Sequence, residues 1–218
     1  WIFGRQEFTK PLISLINDVV SYEGGLHQFS EIEILNPFDS YEPLKNKKRG
    51  ILDIRAKDVN SGIWADVEVQ VAYSEYYPQR SKFYLAGLYR DQLQKGSENK
   101  YDKLKPVYGI HLLFEDLFIK KDEQEYWFNH YAMLNTRNYK PLADHWHLFY
   151  VELKKCVEQK SKKKAPKTPL EQWGLFLGTT QDNSKPLDPD LATNNGIKEV
   201  YDMLLTFTEE DHLREKYR

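Results

Sequence analysis

The 218-residue chain has a single cysteine, Cys156. One cysteine cannot close an intrachain disulfide, so no disulfide framework holds this fold, and a reducing cytoplasm is the compartment such usage fits. No apolar run reaches the ~20 residues that a membrane-crossing helix needs, and no secretory signal pattern opens the chain. Glycine-rich phosphate loops of the P-loop or dinucleotide type are absent as well. An excess of one charge is also missing, because 31 Lys and Arg against 33 Asp and Glu leave a net charge of −2. That balance excludes a protein that coats nucleic acid by bulk charge, so any such contact comes from local patches. The chain opens at Trp1 without methionine and reads as a piece of a longer protein.

What is present suffices for one substantial domain, since 40% of the residues are hydrophobic. From Glu7 to Val20, Phe8, Leu12, Ile13, Leu15, Ile16, Val19 and Val20 recur at helical spacing, with Pro11 suited to a first turn. EIEIL (31–35) alternates as a strand does, and GILDIRAKDVNSGIWADVEVQVAY (50–73) reads as two strands joined by a tight turn. YYPQRSKFYLAGLYRDQLQKG (76–96) reads as a helix with Gly96 as its stop. KPVYGIHLLF (105–114), nearly continuous in apolar residues, is a candidate central strand. YWFNHYAML (126–134) and HLFYVEL (147–153) are two further strands. Residues 154–167 are lysine-rich with little that packs, and amphipathic helical stretches follow. The organisation expected is an α/β core over 1–155, a lysine-rich linker over 156–168 and a helical annex over 169–218.

The two-stranded run carries acids where strands rarely hold them: Asp53 in the first strand, Asp66 and Glu68 in the second. With the turn centred on Asn60 and Ser61, opposed residues have numbers that sum to a constant, so Asp53 faces Glu68 and Arg55 faces Asp66. The second pair is an expected cross-strand ion pair. The first sets two carboxylates roughly 5 Å apart, which repel unless a proton or a cation lies between them. Mg2+ suits paired hard oxygen ligands, with waters and a substrate phosphate completing its shell. Hydrolysis of a nucleic-acid backbone is one reading; a solvent-facing pair of strands whose acids are merely solvated is the other.

The order of these pieces carries a resemblance. An Asp in one strand, Glu-X-Gln in the next and then a helix opening YYPQRSKFY is similar to the PD-(D/E)XK nuclease superfamily. More narrowly, it resembles the Rpn-type recombination-promoting nucleases, also labelled transposases. IFG (2–4), LISLIN (12–17), EILNPF (33–38), ILDIRAKD, VEVQ, KLKPVYGIHLL, WHLFYVELKK and TPLEQWGLFL match it in order, across almost the whole chain. The resemblance implies a restriction-endonuclease-like mixed sheet flanked by helices, and a Mg2+-dependent DNA endonuclease that also accepts Mn2+. It assigns the metal to Asp53 and Glu68 and places Gln70 where the superfamily most often has lysine, leaving a neutral amide to orient water. It also adds an acid near the first helix, for which Glu7 is the candidate.

Other residues carry weaker signals. Arg80 reads either as a phosphate contact or as an acid's partner, while Tyr76 and Tyr77 read as packing. Lys47, Lys48 and Arg49, in the run KNKKR, lead into the strand of Asp53 and are candidates for guiding DNA. The histidines of HWH (145–147) lack a third ligand at a recognisable spacing and fit surface or packing roles. A DNA-binding module of the same fold with little cleavage, and a protein-interaction domain using the aromatic C-terminal helices, stay open at this point. DNA is the expected partner and a membrane is not; a homodimer is one assembly open to the chain.

Overall fold

The computed structural model describes residues 3, 9–35, 51–93, 101–161, 166–179 and 186–216. The first periodic run forms helix α1, Thr9–Val20, which buries Leu12, Leu15, Ile16, Val19 and Val20. Strand β1, Ile32–Ile34, lies antiparallel to β2, Ile51–Asp58, which in turn pairs with β3, Trp64–Gln70. The register is the one the turn predicts: Asp53 faces Glu68 and Arg55 faces Asp66.

The β2–β3 turn closes on Asp58. Its carboxylate accepts from the Ser30 and Glu31 backbone N–H groups at 2.9 and 3.2 Å. It also accepts from the Ser61 N–H at 2.8 Å and the Ser61 hydroxyl at 2.6 Å. Gly62 has φ +77°, a left-handed conformation that favours glycine. Those bonds tie the turn to the segment before β1.

Strand β4, Val107–Leu113, is buried along its whole length and runs parallel to β3. On its other side lies β6, Trp146–Glu152, parallel to β4; β5, Phe128–Ala132, pairs antiparallel with β6 at the edge. The mixed sheet therefore has the order β1-β2-β3-β4-β6-β5. This is the α/β, restriction-endonuclease-like architecture expected.

Strand alternation assigns the two faces. Ile54, Ala56, Ala65, Val67, Ile110 and Phe149 point to one side, into the cluster that holds α1. On the other side helix α2, Tyr77–Arg90, packs Tyr77, Leu85 and Leu88 against Val107, Leu113, Leu148 and Tyr150. Helix α2 ends at Arg90, six residues short of the expected stop at Gly96, with Asp91 as its C-cap. The sheet is covered on both faces, so Asp66 and Glu68 do not lie on a wet surface. Each is 2% exposed, which overturns the reading of solvated strand acids.

The C-terminal third also departs from expectation. Residues expected to begin a linker form helix α3, Leu153–Ser161, and Cys156 is fully buried. Lysine content hid this, because only one side of a helix this short needs to pack. Lys155 reaches back to Glu152, with Nζ 2.8 Å from Oε2, while the Leu117 and Phe118 N–H groups donate to Oε1. Helix α4, Pro169–Gly178, is capped by Thr168, whose hydroxyl accepts from the Glu171 N–H at 3.2 Å. It approaches α3 so closely that a Cβ at Gly174 would lie 2.5 Å from the Cys156 sulfur. Helix α5, Asn195–Lys216, begins at Asn194, whose Oδ1 accepts from the Gly196 and Ile197 N–H groups. Asp18 of α1 receives the Trp173 indole N–H at 2.9 Å and the Asn194 amide at 3.2 Å. Trp173, Phe176, Ile197 and Val200 accordingly join the same buried cluster as α1. Among the described residues no helix is long and apolar enough to cross a membrane.

Candidate active site

Three carboxylates converge on the α2 side of the hairpin because residues two apart in a strand share a face and the register sets the strands opposite each other. Asp53 comes from β2, Asp66 and Glu68 from β3. Asp53 stands at the rim with its side chain 38% exposed, and Arg55 Nε lies 3.9 Å from its Oδ1. Asp66 and Glu68 form the floor.

Within the floor, Asp66 meets other acids more closely than it meets positive charge. Burial drives the Asp66 carboxyl far above the ordinary carboxylate range; the hydrogen bond and charge of Asp53, and then the charge of Glu68, push it further. Asp66 is therefore biased strongly towards its protonated form. Its Oδ1 is buried and has no hydrogen-bond partner among the described residues. Such an arrangement is costly for stability alone and characteristic of sites that take up a counter-charge.

Glu68 is held from the other side. The Tyr77 hydroxyl, from the start of α2, donates to Glu68 Oε2 at 2.7 Å, and Arg80 Nη2 lies 3.5 Å from the same oxygen. His111 of β4, the register partner of Glu68, places Nδ1 2.9 Å from the Tyr77 oxygen. Tyr77 has one proton and spends it on Glu68, so His111 donates from Nδ1 and its Nε2, without a partner, carries the lone pair. Burial, and then the charge of Arg80, lower His111 to about 3, keeping it neutral. Burial and the charge of Glu68 push the Tyr77 phenol well above its ordinary value, so it stays a donor. Tyr150 stacks on the His111 ring at 5.0 Å, and its hydroxyl bonds to Ser81 at 2.6 Å. The chain Ser81–Tyr150–His111–Tyr77 buttresses one carboxylate.

At the rim, Gln70 Oε1 accepts from Arg80 Nη2 at 2.7 Å, and its Nε2 donates to the Ala72 carbonyl. The Arg80 guanidinium carbon stands 4.6 Å from the Tyr77 ring centroid. Tyr77 is buried, as a packing residue should be, but Tyr76 is 69% exposed, against expectation, because it precedes the helix and turns outward. Glu7, Lys47, Lys48 and Arg49 lie outside the described residues. The structure thus brings together Asp53, Glu68, Gln70 and Arg80 and adds Asp66, Tyr77 and His111. A histidine inside the apolar run GIHLL was the available signal for His111; it becomes informative once β4 is set beside β3.

The histidines of HWH do pack. His147 is buried between His130, at 3.0 Å, and the Asp144 carbonyl, while His145 Nδ1 lies 2.9 Å from the Tyr89 hydroxyl.

The donor set can be weighed against a divalent cation. Among the described residues no group of three or more His, Cys, Asp or Glu side chains is arranged as a ready-made metal cage. Mg2+ does not require one, since it is usually bound by one or two carboxylates with waters and substrate phosphate. The hard carboxylate oxygens of Asp53 and Glu68, directly opposed across the hairpin, fit such an ion.

Comparison with known proteins agrees with this geometry. A family model described as PD-(D/E)XK nuclease family transposase matches residues 1–218. No curated protein and no solved structure matches the chain. Nucleases of that superfamily generally use divalent metals, and their substrate is DNA. Its mixed sheet, its hairpin acids and a match running the full length of the chain lead to one conclusion: the protein belongs to the PD-(D/E)XK nuclease family transposases.

Proposed function

We propose that the protein is a Mg2+-dependent DNA endonuclease, active with Mn2+ as well, whose cleavage promotes recombination in the cytoplasm. The observation that carries this reading is the carboxylate group of the hairpin, with Asp66 and Glu68 buried beneath the half-exposed Asp53 and Asp53 directly opposite Glu68. Asp53 and Glu68 would hold the cation, which would supply an activated water and charge stabilisation at the phosphodiester. Tyr77 and His111 keep Glu68 from turning away. A hydrogen bond between Asp66 and Asp53 fixes the Asp53 carboxylate at the rim. Hydrolysis forms a bond from the water oxygen to phosphorus and breaks the bond from phosphorus to the 3′ oxygen. The water gives up a proton and the departing oxygen takes one, leaving a 3′-hydroxyl and a 5′-phosphate. The basic run containing Lys47, Lys48 and Arg49 guides the DNA backbone, and Glu7 adds a further acid.

The test is plasmid nicking in Mg2+, with Mn2+ binding followed by calorimetry. Wild type should nick and bind Mn2+ weakly; Asp53→Asn should lose both while circular dichroism shows the fold retained. Equal metal binding by both proteins would remove the assignment.

A further inference from the structure

The acidic site has a cation reaching it from outside the hairpin, and the way it is held is informative. Arg80 projects from the first turns of α2, and three groups fix its guanidinium. Nη2 donates to Gln70 Oε1 at 2.7 Å and lies 3.5 Å from Glu68 Oε2, while the plane's carbon sits 4.6 Å from the Tyr77 ring centroid. The shortest of these contacts is to a neutral acceptor. Gln70 is itself pinned, because its Nε2 donates to the Ala72 carbonyl. Flipping the amide would set its NH2 against a guanidinium and its oxygen against a carbonyl, so the orientation is unique.

We infer that Arg80 is the cationic group that meets the scissile phosphate, and that Gln70 is its positioning residue rather than the holder of the attacking water. This rests on the nuclease reading above. A glutamine here orients the guanidinium without cancelling its charge, as a carboxylate would, and adds no fourth acid to Asp53, Asp66 and Glu68. The side-chain bonds of Arg80 to Gln70 and Glu68 both leave from Nη2, and Nε is buried without a partner among the described residues, so Nη1 and the outer edge of the fork are what remain for phosphate. Its side chain is 29% exposed at the rim, whereas that of Glu68 beneath is 3% exposed. A planar guanidinium matches two phosphate oxygens and cannot lose its proton at working pH. Charge that develops on those oxygens during hydrolysis is thus met by a group already oriented. The same charge stands beside a proposed metal ligand and therefore opposes cation binding in the absence of DNA.

Four variants test this, each first shown by circular dichroism and thermal melting to fold as the wild type does: Arg80→Gln, Arg80→Lys, Gln70→Glu, and Arg80→Gln combined with Gln70→Lys. Nicking should fall about 100-fold in Arg80→Gln and less in Arg80→Lys. Mn2+ should bind Arg80→Gln roughly fivefold more tightly, because a nearby positive charge is gone. A structural role or a simple backbone contact predicts no such opposite movement of rate and metal affinity. Gln70→Glu should slow nicking by about tenfold or more, since it neutralises Arg80 in place. The double variant, which returns a positive charge to the same spot from β3, should recover to within about tenfold of wild type and lose the extra Mn2+ affinity. Nicking by Arg80→Gln within threefold of wild type, or a double variant no better than Arg80→Gln alone, overturns the assignment. A wild type that does not nick with Mg2+ or Mn2+ overturns the nuclease reading itself, and this inference with it.

Discussion

Asp58 and Asp66 lie on the same hairpin, are almost equally buried and have opposite chemistry. Asp58, at the turn, is fully enclosed, yet it accepts five hydrogen bonds from Ser30, Glu31 and Ser61. Burial works against its charge, but those bonds outweigh it and hold the carboxylate at about 2. Asp66, eight residues on, meets Asp53 and Glu68 instead of donors and stays protonated. Burial alone therefore does not set the character of an acid; its balance against nearby donors and charges does. Glu152 lies between the two: two backbone N–H groups and Lys155 donate to it, yet burial outweighs them and holds its carboxyl above the ordinary range. Asp58 is part of the frame, whereas Asp66 sits where acids crowd one another, beside the pair Asp53 and Glu68 to which the cation is assigned.

That contrast breaks most sharply at Glu68. Glu68→Ala should cut nicking per folded molecule by about 1000-fold or more, the scale for losing a principal ligand, while also stranding the buried Tyr77 hydroxyl. Nicking that survives in full would move the active site off this hairpin. The matching change at the turn should do the reverse. Asp58→Ala strands several buried donors and should cost on the order of 3 kcal/mol in urea unfolding, while nicking per folded molecule holds.

Acid sharpens the same point. Because the folded pKa of Asp58 lies below its unfolded value, its contribution is complete above about pH 4 and lost as pH falls towards about 2. Wild type should lose stability across that window more steeply than Asp58→Asn, and parallel curves would show that the turn carboxylate contributes nothing. A smaller effect is expected at Tyr77→Phe, which removes the donor to Glu68 but keeps the ring under Arg80. Nicking should fall about tenfold, with little change in Mn2+ affinity. Smallest is Asp66→Asn. It exchanges a protonated acid for a neutral amide and should leave stability within about 1 kcal/mol of wild type, or raise it, by thermal melting.

Much of the fold could be read in advance where spacing was the message. The periodic run of α1, the alternation in β2 and β3, and the continuous apolar run of β4 each announced their element. The hairpin register followed from one turn, placing Asp53 opposite Glu68. Where composition misled, the element was short: α3 holds a buried cysteine among lysines, and one packed side was enough to make it a helix. Helices α4 and α5 appeared as an annex because nothing local says that Asp18 would bind Trp173 and Asn194 more than 150 residues away.

The sequence by itself determined the pairing of Asp53 with Glu68, since a two-residue period and a single turn leave one register that buries Ala65 and Val67. Only the tertiary structure decided what those acids experience. Laying α2 across β3 and β4 removed water from Asp66 and Glu68, brought Tyr77 and Arg80 to the carboxylate, and set His111 behind them. Charge energies depend on distance and on the surrounding dielectric, and both are properties of packed neighbours from distant parts of the chain.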